Sequence, residues 1–122
     1  MSDVNPVRVL IVDDSDDQLL LLRTYFERAG CTVAVAGTAK DAMLAFDDAE
    51  PELTVIDLVL PGMDGWALAA HLQQAHPGCA IAITSVLDTA DFPLSDAILP
   101  KPFTRLQVRQ VLHSTVPRWV VQ

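Results

Sequence analysis

Cysteine and long apolar runs are both scarce in this sequence. The only cysteines among its 122 residues are Cys31 and Cys79, and each adjoins an apolar run, so two small buried thiols are expected rather than a disulfide or a redox pair. No apolar run approaches the length of a membrane span, so no membrane segment is expected. Residues 1–6 lack the positive region and apolar block of a signal peptide, and the cytosol is therefore the expected compartment.

Basic residues are also few, because 8 lysines and arginines stand against 16 acids and give a formal net charge of −8. This balance argues against nonspecific nucleic-acid binding, which needs an excess of positive charge to displace phosphate counterions. The charge is unevenly distributed. All the acids lie at or before Asp96, whereas Lys101, Arg105, Arg109 and Arg118 follow it without an acid. The basic last helix is either a solvated face or a docking surface for an acidic partner.

The length and composition predict a single globular domain covering residues 1–122. Hydrophobic residues make up 51% of the chain and charged residues 20%, which is typical of a folded domain rather than a disordered segment. There is no internal repeat and no linker-like stretch. One hydrophobic core is expected to contain most of the apolar side chains.

Five short apolar runs alternate with segments of helical periodicity. The runs are predicted strands at residues 8–14, 31–36, 53–57, 80–84 and 96–100. Ser15, Thr38 and Thr104 are predicted helix caps, while Gly30 and Pro117 end the first and last helices. This alternation predicts an α/β fold with a doubly wound parallel sheet and right-handed crossovers.

Polar residues follow four of these predicted strands. Asp13 and Asp14 close the first, Asp57 closes the third, and Thr84 and Lys101 stand at the ends of the fourth and fifth. In open α/β sheets, functional groups gather beyond the carboxyl ends of the strands, where the strand order reverses. We therefore expect a strand order that brings the first, third, fourth and fifth strand ends together.

Three acids at one edge of a sheet attract a cation, because carboxylates about 5 Å apart repel by roughly 3 kcal/mol at an effective dielectric of 20. Oxygen-only ligands favour Mg²⁺, which takes one or two carboxylates and often shares an oxygen with a phosphate. Asp57 is then either a plain ligand or a nucleophile that forms an acyl phosphate. In the second case Lys101 and Thr84 help to neutralise the phosphoryl oxygens.

These motifs together resemble the receiver domain of bacterial two-component response regulators, the type found in the chemotaxis regulator, over essentially the whole chain. The motifs that carry the resemblance are the acidic pair Asp13-Asp14, Asp57 with the following LVLPGMDG, the hydroxyl of Thr84, and Lys101-Pro102-Phe103. The resemblance implies the flavodoxin-like receiver fold with strand order 2-1-3-4-5.

The resemblance also implies a role for each site residue. Asp57 accepts a phosphoryl group, and Asp14, Asp57 and the backbone carbonyl of Val59 bind Mg²⁺ directly, with Asp13 acting largely through water. Lys101 pairs with the phosphoryl group. The implied partners are a sensor histidine kinase or phosphotransfer protein upstream and another protein downstream.

Two departures from the family pattern concern signal output. The family's switch aromatic, three residues before the lysine, is replaced by Ile98, so the usual coupling of threonine to an aromatic side chain is absent. The stretch from Thr84 to Lys101 is several residues shorter than usual and contains Pro93, and proline in a helix interior costs about 3 kcal/mol. The fourth helix is therefore predicted to be short, distorted or absent.

The leading hypothesis is a stand-alone receiver that is phosphorylated on Asp57 and shifts between two states. It is not an enzyme, apart from slow hydrolysis of its own acyl phosphate. A second hypothesis is an interaction module that keeps the fold but does not use phosphorylation. A metal-dependent phosphatase of the haloacid dehalogenase type is disfavoured, because those enzymes need a second acid where this chain has Val59.

Overall fold

A computed structural model describes residues 6–57, 65–85, 97–100 and 103–119, and a parallel sheet lies at its centre. The strands are β1 (Arg8–Val12), β2 (Thr32–Ala36), β3 (Leu53–Asp57), β4 (Ala80–Ser85) and β5 (Ala97–Pro100). Their order is β2-β1-β3-β4-β5, and each neighbouring pair is parallel. The predicted α/β class, the parallel sheet and the strand order are confirmed.

Helices cover both faces of this sheet. In the described part of the chain they are α1 (Asp16–Arg28), α2 (Ala39–Ala49), α3 (Gly65–Ala75) and α4 (Arg105–Thr115). The helix predicted to be short or absent falls between β4 and β5, at residues 86–96, which lie outside the described residues. Among the described helices, none combines the length and apolar character needed to cross a bilayer.

Local hydrogen bonds start three of the helices where the sequence predicts. The hydroxyls of Ser15 and Thr38 accept hydrogen bonds from the amides of Gln18 and Asp41 at 3.3 and 3.1 Å. Thr104 forms a reciprocal capping box with the glutamine three residues later. Each cap satisfies an otherwise unpaired helix amide and contributes about 1 kcal/mol. These contacts are local, so the three cap predictions are confirmed.

The hydrophobic core forms two layers because alternate strand residues point to opposite faces of the sheet. On one face, α1 and α4 pack against the sheet; representative residues of this layer are Val9, Ile11, Val55, Leu22, Phe26, Val108 and Leu112. On the other face, α2 and α3 cover a second layer, represented by Leu10, Val12, Ile56, Ile83, Phe46, Leu68 and Leu72. Burial of each large side chain contributes about 1.5–3 kcal/mol, which holds the strand ends in fixed positions.

Trp119 joins the end of the chain to the first of these layers. Its side chain is buried, and its indole Nε1–H donates to the carbonyl oxygen of Ala29 at 2.9 Å. Ala29 caps the carboxyl end of α1, and the following Gly30 has a φ of 94°, which glycine adopts without strain. The structure therefore assigns Trp119 to the hydrophobic core.

Both cysteines are buried and free, as the sequence predicts. Burial raises the pKa of the Cys31 thiol to about 12, and the nearby negative charge of Glu52 acts in the same direction. Cys79 lies beside Thr54, with 3.4 Å between its Sγ and the threonine Oγ1. Neither thiol has the exposed, electropositive surroundings that make a cysteine reactive.

A carboxylate and two arginines connect the termini at the amino edge of the sheet. The guanidinium of Arg118 donates to both carboxylate oxygens of Glu52 and also to the carbonyl oxygen of Pro6. Arg8 also pairs with Glu52, with 3.5 Å between its Nη1 and the Glu52 Oε1. The pKa of Glu52 lies below its ordinary value of 4.5, mainly because Arg118 donates hydrogen bonds to its carboxylate.

We expect Glu52→Gln to lower the free energy of unfolding at pH 7, with a loss that disappears in acid. A carboxyl group whose pKa is lowered by folding stabilises the protein above the unfolded pKa, and this contribution is lost as the pH falls through the folded value. Urea denaturation of the wild type and of Glu52→Gln at pH 7 and at pH 3 measures this loss of stability.

Glu27→Gln is the matched control, because Glu27 pairs with Arg23 one helical turn away on the exposed surface of α1. Such an exposed pair contributes about 0.3–0.5 kcal/mol. If Glu52→Gln lost as much stability at pH 3 as at pH 7, the charge on Glu52 would not be the source of the effect.

Candidate functional site

The predicted acidic cluster is present at the carboxyl ends of β1 and β3. Val12 and Ile56 are partners in the parallel register, so the residues that follow them, Asp13 and Asp57, are neighbours across the two strands. Asp13, Asp14 and Asp57 each offer a carboxylate oxygen, and these oxygens lie within 4.8 Å of one another. The structure therefore brings together all three acids that the sequence analysis selected.

Backbone hydrogen bonds fix the orientation of Asp13. Its amide donates to the carbonyl oxygen of Ala36 at 3.1 Å, which continues the pairing of β1 with β2 beyond Val12. Its carboxylate Oδ1 accepts a hydrogen bond from the amide of Ser15 at 2.9 Å. The sequence predicts Ser15 as a helix cap, but the role of its amide as the donor to Asp13 was not predicted. The sequence does contain a signal for this contact, because an aspartate side chain commonly accepts a hydrogen bond from the amide two residues later.

The three acids differ in their exposure to solvent. Asp13 and Asp57 are buried, with 1% and 6% of their surfaces accessible, whereas Asp14 is exposed. At 4.8 Å and an effective dielectric of 20, each pair of charged oxygens repels by about 3 kcal/mol. Bringing these charges together is unfavourable unless a cation accompanies them. The all-oxygen donor set and its partial burial fit a hard divalent ion.

Thr84 adds a hydroxyl to the same edge. It is the register partner of Asp57 in the adjacent strand β4, and its side chain is 1% exposed. Within the part of the chain that the structure describes, its Oγ1 has no hydrogen-bond partner. A buried hydroxyl without a partner costs roughly 1–3 kcal/mol. Packing alone does not account for a threonine here, since valine would fill the same space without this penalty.

Two predicted site residues, Lys101 and Val59, lie outside the described residues. The backbone before Lys101 is described: Leu99 pairs with Thr84, and Pro100 pairs with Ser85. Strand β5 therefore ends at the same edge as β4. Ile98, which replaces the family's switch aromatic, pairs with Ile83 and is 38% exposed.

The sheet order and the acids at its carboxyl edge define the class of flavodoxin-like α/β proteins that carry their site at the strand ends. The family model of the response regulator receiver domain matches residues 9–113. The chain belongs to this family, whose members act in two-component signalling.

The chain is also similar to curated proteins over most of its length. The chain is 35% identical over 88 residues to an uncharacterized 14.6 kDa protein of Leptolyngbya boryana, covering 70% of this chain and 67% of that protein. It is 26% identical over 121 residues to the "Probable transcriptional regulator ycf27" of Cyanophora paradoxa. That match covers 95% of this chain but 51% of the relative, so the chain spans about half the length of ycf27.

A solved structure shows the same fold. The signal receiver domain of an HD domain-containing protein from Pseudomonas fluorescens Pf-5 superposes with a TM-score of 0.85. The match covers 94% of this chain and 98% of the other at 20% sequence identity. At this identity the likeness concerns the fold alone.

We expect Asp57→Asn to raise the stability of the metal-free protein. Asparagine preserves the shape of the side chain but removes one of three mutually repelling charges, which is worth about 1–3 kcal/mol. Urea denaturation at pH 7 in a chelator measures the difference. Asp48→Asn, on the exposed surface of α2, is the control and should change stability by less than about 0.5 kcal/mol. A less stable Asp57→Asn would show that repulsion does not dominate the cluster.

Thr84→Val should also raise stability, by about 1 kcal/mol, because it replaces with a methyl group a buried hydroxyl that has no partner among the described residues. Thr54→Val is the matched control on the neighbouring strand β3. Thr54 is equally buried, but its hydroxyl lies 3.4 Å from the Cys79 sulfur, within hydrogen-bonding distance. Thermal denaturation of both variants compares the contributions of the two hydroxyls to stability. Equal effects would mean that Thr84 is an ordinary strand residue.

Proposed function

We propose that this chain is a phosphoacceptor: Asp57 receives a phosphoryl group from a phosphohistidine of a sensor histidine kinase or phosphotransfer protein. One observation carries the proposal, namely the convergence of three carboxylates within 4.8 Å beside the buried hydroxyl of Thr84, which has no hydrogen-bond partner among the described residues. Membership of the receiver family supports it. A purely structural site would not assemble repelling charges and a buried hydroxyl at one edge of the sheet.

The donor set fits Mg²⁺. Asp14 and Asp57 would hold the ion directly, with Asp13 acting largely through water and the backbone carbonyl of Val59 as a further ligand, as the family resemblance implies. When bound, Mg²⁺ supplies positive charge that neutralises carboxylate and phosphoryl oxygens. The exposed Asp14 gives the site access to solvent, and the buried Asp13 is kept in position by the Ser15 amide.

In the transfer, a carboxylate oxygen of Asp57 forms a bond to phosphorus while the phosphorus–nitrogen bond of the donor imidazole breaks. The imidazole nitrogen leaves with the electron pair and takes a proton from solvent. The Thr84 hydroxyl can donate to a phosphoryl oxygen, and Lys101 supplies the second positive group. This gives the buried Oγ1 of Thr84 a hydrogen bond that none of the described residues supplies.

The proposed outcome is a population shift read by another protein rather than turnover of a substrate. Slow hydrolysis of the acyl phosphate would return the domain to its starting state. The chain itself would then be a signalling switch and not an enzyme. A receiver domain that passes its signal to a protein partner is the simplest form of this proposal.

One observation favours a second candidate, an interaction module that does not use phosphorylation. Ile98 stands where the family has its switch aromatic, and this aliphatic side chain is partly exposed on the edge strand β5. The acidic cluster argues against this candidate, since an unused site gains nothing from three clustered acids. The two candidates predict different behaviour toward a phosphodonor.

We expect a small-molecule phosphodonor to add one phosphoryl group to the wild type when Mg²⁺ is present. The measurement is intact mass, with and without Mg²⁺, for the wild type and for Asp57→Asn. The variant should stay unmodified, and chelation of the metal should prevent labelling of the wild type. Asp48→Asn controls for the loss of one carboxylate elsewhere and should be labelled normally.

An unmodified wild type, alongside a receiver that is labelled under the same conditions, would eliminate the phosphoacceptor and favour the interaction module. If Asp57→Asn were labelled to the same extent as the wild type, the modified residue would not be Asp57.

A further inference from the structure

A second surface of the molecule has a charge opposite to that of the chain as a whole. Helices α1 and α4 border a groove of about 340 Å³, lined by Tyr25, Arg28, Ala29, Arg105, Leu106 and Arg109. Three guanidinium groups thus line one groove of a protein whose formal net charge is −8. Helix α4 contains no acidic residue. This basic groove is separate from the acidic cluster.

Local helix electrostatics explain only part of this arrangement. Arg28 lies in the last turn of α1, where a cation interacts favourably with the helix dipole. Arg105 is the first residue of α4, where the dipole disfavours a positive charge. In the described part of the chain, neither Arg28 nor Arg105 forms an ion pair. Arg28 and Arg105 therefore place like charges at the groove that no ion pair among the described residues requires, and an anionic ligand would relieve their repulsion.

The remaining groove residues indicate what kind of anion fits. Leu106 is 65% exposed and Tyr25 is half-buried, so apolar surface lies between the guanidinium groups. Arginine and tyrosine are enriched at protein interfaces, and arginine binds carboxylates through two parallel hydrogen bonds. A groove between two helices also suits an amphipathic segment. A free phosphate ion would leave the apolar surface uncovered, and a nucleic acid would be repelled by the rest of the chain.

We propose that this groove docks an acidic, amphipathic segment of a partner protein, with carboxylates on Arg28 and Arg105 and an apolar side chain against Leu106. The charge complementarity is local, because it is confined to a basic groove in an otherwise acidic molecule. Docking does not require Asp57 to be phosphorylated. The proposal thus goes beyond the phosphoacceptor function and can succeed or fail independently of it.

The test uses fluorescent peptides of about 16 residues, long enough to extend roughly 24 Å as a helix. In the acidic peptides, glutamates cover one face and leucines the other; in the control peptides, glutamine replaces glutamate. Fluorescence anisotropy should detect binding of the acidic peptides with a Kd below roughly 1 mM, weakening as ionic strength rises. The Asp57→Asn protein should bind them equally well, which separates this result from the outcome of phosphorylation.

Charge reversal identifies the surface that binds. Arg28→Glu and Arg105→Glu should each weaken binding by roughly tenfold or more, Arg105→Lys should weaken it less, and Leu106→Ala should weaken it without changing the salt dependence. Lys40→Glu on α2 is the matched control, since it makes the same change in net charge on the other face of the sheet. The melting temperature of Arg105→Glu should be unchanged or higher, because glutamate suits the first turn of a helix.

Several results would overturn the proposal. Failure of every acidic peptide to bind, or equal weakening by Lys40→Glu, would remove the groove as a docking surface. Displacement of the peptide by inorganic phosphate or a mononucleotide at comparable concentration would instead identify a small phosphate ligand. Binding of a DNA duplex through the same arginines would identify a nucleic-acid surface. A concentration-dependent dimer in sedimentation, abolished by Arg28→Glu, would identify a second copy of this chain as the occupant.

Discussion

Three carboxylates held within 4.8 Å of one another are the constraint on which the functional interpretation of this fold depends. Their repulsion, about 3 kcal/mol for each pair, works against the compact state, so other parts of the molecule have to hold them in place. Asp13 is held by the Ser15 amide and by pairing with Ala36, and Asp57 is the last residue of a completely buried strand. The two core layers supply the stability that this edge lacks.

The opposite edge of the sheet has the reverse character. There Glu52 is surrounded by arginines, and its charge is stabilised rather than opposed. Hydrogen bonds between Arg118 and Glu52, and between Trp119 and Ala29, join the end of the chain to the loop before β3 and to the end of α1. The domain thus combines an edge with oppositely charged pairs and an edge where acids cluster. Functional sites commonly depart in this way from the rules that stabilise the rest of a fold.

The predicted site residues and the predicted switch position differ in how closely they follow the family pattern. The acids and Thr84 match that pattern, whereas Ile98 does not, and a partly exposed aliphatic side chain cannot reproduce an aromatic switch. The basic groove between α1 and α4 offers a partner surface made of residues outside the site. Accepting a phosphoryl group and recognising a partner would then be functions of separate surfaces, joined through the shared core beneath α1 and α4.

The sequence was sufficient for features governed by short-range chemistry. Caps at Ser15, Thr38 and Thr104 involve amides three residues away, and the alternation of strands and helices is visible in local periodicity. The convergence of the strand-end acids was also predictable, because parallel strands in this fold class end at one edge. The exact order of the strands came from the resemblance to the receiver family rather than from the periodicity.

The tertiary structure decided the features that depend on residues far apart in the chain. The partners of Arg118 and Trp119 are separated from them by 66 and 90 positions, and local patterns carry no information about such contacts. The same holds for the basic groove, where α1 contributes Arg28 and α4 contributes Arg105, and for the lack of a hydrogen-bond partner at Thr84 Oγ1 among the described residues. Sequence therefore determined which elements form and which strand ends carry acids. Packing determined which distant side chains meet, because that depends on how the helices cross the sheet.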